Sequence, residues 1–289
     1  MAVRVVTDTT SYLPQSDVER YGIRLVPLSV TLDGVTYVER VADEAFYDAL
    51  LKSKGFPTTS QPSAATIAEA FRAAVEAGDE VVAVFLSSEM SGTYSTALLA
   101  RDMVREERPD ARIEVVDSRS NCMELGFAVL AAARAAEQGA SAEEAAAAAR
   151  EMTLHTRFIF VPDTLEYLRR GGRIGNASAL IGTLLQIRPI LTVVDGKTDV
   201  FAKVRTKRKA MTEIVAALSR DAEAKGLIDV VAHHIADEAE GRELAAMASE
   251  AVGREVPVIP VGPTIGTHVG PGSVGLVYVT DKPMEKSAG

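Results

Sequence analysis

Side-chain hydroxyls are concentrated in four turns in the first half of this sequence, at residues 8–11, 57–63, 88–93 and 117–120. Each turn follows a short apolar run or precedes a helical pattern. A helix N-terminus presents unpaired N–H groups and a partial positive charge, so a Ser/Thr-lined turn at that position can bind a carboxylate or a phosphate. The chemistry that these turns indicate is therefore anion binding.

The turn at 88–93 separates two well-defined elements. Residues 81–86 are an uninterrupted apolar run, which is typical of a strand buried on both faces. Ser91 is predicted to be the N-cap of a helix that continues from Tyr94. One interpretation is that Ser91 only caps this helix. The other is that it joins the remaining turns in a binding site.

Strands and helices alternate up to about residue 150, a pattern that predicts a parallel sheet with right-handed crossovers. Ligands of such sheets bind outside the carboxyl ends of the strands, where the four turns would converge. Residues 25–30 and 35–38 flank Asp33-Gly34, which predicts a type I′ hairpin at a sheet edge.

The second half of the sequence has a different order of predicted strands and helices. It reads as a strand at 158–161, short helices at 164–170 and 178–187, a hairpin over 190–204, a helix at 207–225, a strand at 228–232, a helix at 236–252 and a β-like section at 256–280. This order predicts an α+β domain. The overall fold class is therefore α/β, with a parallel-sheet α/β domain at 1–154 packed on an α+β domain at 155–289.

Composition narrows the possible functions. The net charge of −9 argues against a general nucleic-acid binder, because no surplus of cations is available to neutralise phosphates. The single cysteine fits a reducing cytoplasm. No apolar stretch is long enough for a membrane span, and the N-terminus does not resemble a signal peptide. We therefore expect a cytoplasmic protein without stable membrane insertion.

Histidines provide the other candidate chemistry. His268 lies among glycines at 262–272, where it could donate to an anion, titrate near neutrality or have only a structural role. His233-His234 lacks a third ligand at metal spacing, so no metal site is expected. No Walker loop, dinucleotide-binding glycine motif or nucleophile elbow occurs, so no cofactor is predicted.

Two dense basic clusters occur, at 169–173 and 203–209. Each could be an ordinary solvated face or a cationic rim that meets a phosphate or an acidic partner.

The combined motifs resemble the DegV family. They are Thr7-Asp8-Thr9-Thr10, Thr59-Ser60-Gln61-Pro62, Ser91-Gly92-Thr93-Tyr94, the segment from Asp163 to Ile174, and Gly266-Thr267-His268-Val269-Gly270-Pro271-Gly272. The resemblance covers nearly the whole chain. It departs from the usual family pattern at Thr9, which replaces a serine and keeps the hydroxyl.

The resemblance implies a non-catalytic carrier that holds a long-chain fatty acid in a buried tunnel. Such proteins are similar to the carrier subunit of bacterial fatty acid kinase, whose catalytic subunit phosphorylates the carboxylate with ATP. Carried onto this sequence, Thr59 and Ser91 contact the carboxylate, with Ser60 as an alternative to Thr59. Arg205 and His268 fall in segments that resemble the tunnel mouth.

Two other functions stay open at this point. A Ser91/His268 acyl hydrolase would use the same residues as nucleophile and base, although the nucleophile elbow is absent. A regulatory interaction protein with incidental lipid would bind its ligand without depending on Ser91 or Thr59.

Overall fold

The structure is a computed structural model that describes residues 2–39, 44–180 and 187–284. By internal contacts the chain divides into two compact units. The first comprises the chain up to Ser29 together with Thr59–Thr153, and the second comprises Val30–Thr58 together with the chain from Leu154 onward.

The strands are, in chain order, β1 (Val3–Asp8), β2 (Arg24–Val26), β3 (Ser29–Leu32), β4 (Val35–Val38), β5 (Thr58–Ser60), β6 (Glu80–Phe85), β7 (Ile113–Asp117), β8 (Thr156–Val161), β9 (Arg188–Val194), β10 (Lys197–Val204), β11 (Leu227–Ile235), β12 (Val258–Pro260) and β13 (Ser273–Thr280). The α-helices are α1 (Gln15–Tyr21), α2 (Glu44–Lys52), α3 (Ala64–Glu76), α4 (Thr93–Glu107), α5 (Cys122–Glu137), α6 (Ala142–His155), α7 (Glu166–Arg170), α8 (Lys207–Lys225), α9 (Glu238–Val252) and α10 (Pro263–Val269). Short 3-10 helices occur at Thr9–Ser11 and Gly175–Leu180.

The first unit is built on a parallel sheet of order β2-β1-β6-β7. Every residue of β6 is buried, because helices cover both faces of the sheet. The core between the sheet and α3 and α4 includes Ile67, Phe71 and Phe85. The predicted parallel α/β sheet is confirmed.

The predicted strand at 25–30 is interrupted at Pro27, which has no N–H to donate to a ladder. Its first part, β2, pairs in parallel with β1, whereas β3 belongs to a small sheet of order β4-β3-β5. The predicted hairpin consists of β3 and β4. Its turn residues Asp33 and Gly34 have φ values of 48° and 80°, as a type I′ turn requires.

The second unit contains a six-stranded mixed sheet of order β10-β9-β8-β13-β11-β12. Among these described strands, only the pairing of β11 with β12 is parallel. Helices α8 and α9 pack on the sheet, and the core there includes Ile190, Ile214, Leu244 and Leu276. This arrangement confirms the α+β prediction and the mixed α/β fold class.

The β-like prediction for 256–280 is wrong in its centre, because residues 263–269 form helix α10. Pro263 occupies the first helical turn, where its missing N–H costs nothing, and Gly270 ends the helix with a φ of 93°. The predicted helix at 178–187 overlaps the 3-10 helix up to Leu180, and residues 181–186 lie outside the described residues.

The compact units differ from simple sequence order in one respect. Val30–Thr58 precedes most of the first unit in the chain but has its contacts in the second. No local signal in the sequence indicates that Val30–Thr58 clusters with the second unit. The domain boundary at 154/155 stays a prediction. Within the described residues, no helix is both long and apolar enough to cross a membrane.

His233 gives the second unit a predicted sensitivity to acid. Its ring is 2% exposed and burial lowers its pKa to about 4. As the pH falls from about 6.5, the unfolded chain takes up a proton that the folded protein resists, so the free energy of unfolding decreases. We expect His233 to lower the free energy of unfolding by about 1.4 kcal/mol by pH 5.5.

Urea denaturation at pH 7.5 and 5.5, on the parent and on His233→Gln, measures this contribution. The variant should lose less stability than the parent between the two pH values, because its amide does not titrate. An equal loss in both proteins would show that another group is responsible.

Candidate functional site

A buried carboxylate, Asp8, closes the carboxyl end of β1. One of its oxygens accepts hydrogen bonds from the N–H and the hydroxyl of Thr10, at 2.9 and 2.5 Å. The other accepts from the Leu86 N–H, directly after β6, at 2.9 Å. Burial raises the pKa of Asp8, against the lowering effect of these hydrogen bonds. Asp8 thus attaches the first hydroxyl-rich turn to the third.

Asp117 performs the same task at the end of β7. Its carboxylate accepts from the Ser88 hydroxyl at 2.6 Å, from the Ser88 N–H at 3.2 Å and from the Arg119 N–H at 2.8 Å. The Ser87 N–H donates to the Ser120 carbonyl at 2.8 Å. The third turn is therefore also attached to the fourth.

Gln61 joins the second turn to the third. Its amide nitrogen donates to the Thr96 hydroxyl at 2.5 Å, across the first turns of α4. A Cβ added to Gly92 would overlap the Gln61 side-chain oxygen, so the glycine makes room for this contact. All four turns consequently meet at the carboxyl edge of the parallel sheet.

Ser91 lies one residue farther from the helix than predicted. Gly92 is the N-cap of α4, and the Ser91 hydroxyl accepts from the N–H of Thr93 at 3.2 Å. The two side-chain oxygens of Ser91 and Thr93 are 2.9 Å apart. Ser91 is half-buried and stays at the N-terminus of a 15-residue helix, whose partial positive charge favours an anion.

Thr59 and Ser60 belong to β5, in the residues directly before Gln61. Thr59 is half-buried and Ser60 is exposed. Ser63, the last hydroxyl of this turn, caps α3 by accepting from the Thr66 N–H at 3.1 Å. Ser63 therefore has a structural role. Thr59 and Ser91 both belong to the first unit.

Two buried polar atoms near this edge lack a hydrogen-bond partner within the described ranges. They are the hydroxyl of Thr7, beside Asp8, and the side-chain carbonyl oxygen of Asn121, which precedes α5. Thr7 is 0% and Asn121 6% exposed. Buried polar groups are normally paired, so this edge has unused capacity for a water molecule or a ligand.

His268 belongs to the second unit, in the last turn of α10 rather than in a glycine loop. A Cβ added to Gly171 would overlap its Nδ1, so the glycine after α7 permits close packing on the ring. Burial, and to a smaller extent Arg173, lower the pKa of His268 to about 4. This shift disfavours titration near neutrality, one of the possible roles of His268. As a neutral imidazole it can still donate one hydrogen bond.

Two side chains from the excursion at residues 30–58 hold α10 in place. The buried Glu39 accepts from the N–H and the hydroxyl of Thr264, at 2.6 and 2.5 Å. The Tyr47 hydroxyl lies 2.9 Å from the carbonyl oxygens of both Val261 and Gly262. These contacts explain why the excursion clusters with the second unit. They also fix the position of the helix that carries His268.

Arg205 lies in the two-residue connection between β10 and α8 and is exposed. In the part of the chain that the structure describes, it forms none of the salt bridges found. Lys207, two residues later, is instead held between Glu240 and the Gly272 carbonyl. The basic segment at 203–209 is therefore not uniform, because Lys207 is structural and Arg205 projects from the connection.

Three positions in this region carried no assigned role in the sequence analysis. Asp117 could have been recognised because, like Asp8, it ends a strand just before a residue with a side-chain hydroxyl. Gln61 and Gly92 could not, because their contact depends on how the chain folds between them. Among the described residues, no cluster of three metal-ligating side chains occurs.

Comparison with known proteins assigns the chain to one protein family. A family described as "Uncharacterised protein, DegV family" matches residues 2–281. The chain belongs to the DegV family. A DegV domain-containing protein of Clostridium acetobutylicum is 47% identical over 285 residues, which cover 98% of this chain and 100% of the relative.

Two solved structures show how closely the fold is shared. A DegV family protein from Thermus thermophilus, described by its fatty acid binding, is 33% identical, with a TM-score of 0.85 over 97% of this chain and 100% of the other. A stearic-acid-binding protein from Eubacterium ventriosum is 27% identical, with a TM-score of 0.88 over 96% of this chain and 98% of the other. The whole DegV fold, and not one domain of it, is therefore matched.

Proposed function

We propose that this DegV family protein binds a long-chain fatty acid and presents its carboxylate to a partner kinase, which forms the acyl phosphate. The observation that carries this proposal is the contact of Gln61 with Gly92 and Thr96, which unites the Thr-Ser-Gln-Pro and Ser-Gly-Thr-Tyr motifs at one sheet edge. The relatives from Thermus thermophilus and Eubacterium ventriosum, described as binding fatty acids, support it.

The carboxylate contacts are assigned to the hydroxyls of Ser91 and Thr59, with Ser60 as the alternative to Thr59. Ser91 supports this role because it lies at the N-terminus of α4, where backbone N–H groups and the helix dipole favour a negative charge. Asp8 and Asp117 each accept three hydrogen bonds that link the turns, so they hold the turns in place rather than contact the anionic ligand. The acyl chain supplies most of the affinity, at about 0.8 kcal/mol for each buried methylene.

The second unit would contribute His268 and Arg205. His268 is neutral at physiological pH, so it can donate a hydrogen bond without adding a charge. Arg205 is exposed and can pair with a phosphate or with an acidic partner through two parallel hydrogen bonds. This exposure favours a role for Arg205 in acyl-phosphate formation with the kinase over a role in loading of the fatty acid.

A non-catalytic role is favoured over the Ser91/His268 hydrolase for two reasons. The Ser91 hydroxyl is hydrogen-bonded to Thr93, its neighbour at the start of α4. A histidine with a pKa near 4 is also a weak general base at neutral pH. Sustained hydrolysis of an acyl ester by the purified protein alone would reverse this preference.

Mass spectrometry of the purified protein tests ligand binding directly. Gentle organic extraction should release a long-chain fatty acid in near-stoichiometric amount. A protein that is purified empty and cannot be loaded would refute the carrier proposal. Loading that is unchanged in Thr59→Val and Ser91→Ala would instead favour the interaction protein with incidental lipid.

Gly171→Ala tests the contribution of His268 without changing a charge. Gly171 has helical backbone angles, so alanine adds no backbone strain, but its Cβ would overlap the His268 ring. We expect the ring to move and fatty-acid retention to fall by about threefold to tenfold, the loss of one neutral hydrogen bond. Dissociation of a radiolabelled fatty acid measures the effect.

Gly172→Ala, at the next position along the chain, is the control for this change. Gly172 has open space at its Cβ position and a φ of 71°, so alanine there strains the backbone without touching the His268 ring. Its fatty-acid retention should stay close to that of the parent. If Gly172→Ala weakens retention and Gly171→Ala does not, the ring contact has no role in binding.

A further inference from the structure

A second concave site lies within the second unit, between α2 and α9. It is a cavity of about 820 Å³ bounded by these two helices, the end of β11 and the edge strand β12. Cavities of roughly 300–1,000 Å³ are typical of small-molecule sites. Its lining includes none of Thr59, Ser91, Arg205 and His268. The residues proposed for the carboxylate contacts and the tunnel mouth therefore lie outside it.

Part of the cavity wall is apolar. Leu51, from α2, lines the cavity and is 69% exposed. Ala245 and Ala246, from α9, leave space because their side chains are small, and Val256 and Val258 also line the cavity. These surfaces suit a compact carbon skeleton.

The rim is rich in hydrogen-bond acceptors and in negative charge. Four carboxylates line the cavity, those of Glu44, Asp48, Glu238 and Glu255, against one cation, Arg242. The Arg242 guanidinium donates to Glu238 at 3.0 Å and is thereby neutralised. The remaining carboxylates favour a cationic ligand and disfavour a fatty acid.

His234 supplies a donor on the same wall. It is 8% exposed, and its Nδ1 accepts from the Asp237 N–H at 3.3 Å, which leaves the ring proton on Nε2. In the described part of the chain this Nε2–H makes no hydrogen bond. Because His234 lines the cavity, this N–H can donate to an acceptor atom on the occupant.

Addition of a peptide strand to β12 suits the site less well. The strand has only three residues and ends in Pro260, and Pro257 precedes it. Prolines have no N–H to donate, and short proline-flanked edges resist strand pairing. A small molecule fits these observations better.

We propose that this cavity binds a small organic cation, with an ammonium group among the carboxylates, an apolar skeleton between α2 and α9, and an acceptor atom at His234. Three probes with one aromatic skeleton test the proposal by isothermal titration calorimetry: tyramine, the neutral alcohol tyrosol and the anion 4-hydroxyphenylacetate. We expect tyramine to bind at least about fivefold more tightly than tyrosol, and the anion to bind least.

Variants locate the binding. Glu44→Gln combined with Asp48→Asn should reduce the preference for tyramine to less than about twofold. Ala246→Trp should fill the cavity and remove tyramine binding. Ala251→Trp is the matched control, because Ala251 is exposed on the same helix and does not line the cavity.

Equal binding of the three probes, or tyramine binding unchanged by Ala246→Trp, would overturn the proposal. Circular dichroism first establishes that each variant is folded. If Ala246→Trp is not, the double carboxylate variant decides, because both of its side chains are exposed. Ser91→Ala should leave tyramine binding unchanged, which separates this test from that of the fatty-acid site.

Discussion

Ser91→Ala is expected to slow acyl-phosphate formation by about ten- to hundredfold while the protein stays folded. A hydrogen bond to a charged group contributes about 1.5–3 kcal/mol, and its loss leaves the carboxylate poorly placed for transfer. Retention of the fatty acid should weaken less, because the acyl chain provides most of the binding energy. Both quantities can be measured with radiolabelled fatty acid, ATP and a bacterial fatty acid kinase catalytic subunit.

Ser95→Ala is the matched control, since Ser95 is exposed on the first turns of the same helix. Ser91→Thr should restore much of the activity because it keeps the hydroxyl. Ser91 also accepts from the Thr93 N–H, so a thermal melt must separate any loss of helix capping from loss of ligand placement. Phosphorylation of Ser91→Ala at the parent rate would remove Ser91 from the site.

Arg205→Ala should leave fatty-acid loading nearly unchanged and slow acyl-phosphate formation by at least about tenfold, equivalent to about 1.4 kcal/mol. The hydroxyl contacts belong to the first unit and are unaffected by this change. Arg205→Lys should recover little, because lysine cannot form two parallel hydrogen bonds to a phosphate or a carboxylate. Loading and transfer should be measured on the same preparation.

Arg208→Ala controls for the general loss of positive charge. Its side chain is 87% exposed, and its ion pair with Glu243 is long at 3.9 Å. Its removal should therefore have little structural effect. Lys207 is unsuitable because it bonds to Glu240 and Gly272. Equal losses of loading and transfer in Arg205→Ala would place Arg205 in the ligand site, and no loss of either would make the segment an ordinary solvated face.

Local signals in the sequence were sufficient for most of the secondary structure. The apolar run before Ser87 predicted β6, and Asp33-Gly34 predicted a type I′ turn, because these patterns depend on residues close together in the chain. A capping box at the start of α6 likewise depends only on neighbouring residues, and in it the Ser141 N–H lies 2.8 Å from the Glu144 carboxylate. The parallel sheet followed from the alternation of these elements.

Long-range contacts decided the rest. Residues 263–269 include β-branched residues, which suit a strand, namely Thr264, Ile265, Thr267 and Val269. They nevertheless form α10, where Glu39 binds the Thr264 N–H across 225 positions of sequence. The partial burial of His268 and the close approach of Gly171 likewise depend on tertiary packing. Propensity is a weak local preference, and packing overrides it.

The sequence by itself determined which residues could bind an anion and, through the order of strands and helices, the sheet edge at which they would meet. Only the tertiary structure decided that Gln61 lies against Gly92, that Val30–Thr58 belongs to the second unit, and that α2 and α9 enclose a cavity. The reason is that hydrogen-bonding capacity and backbone preference are properties of single residues. Contacts between distant segments arise only when the whole chain buries its apolar surface.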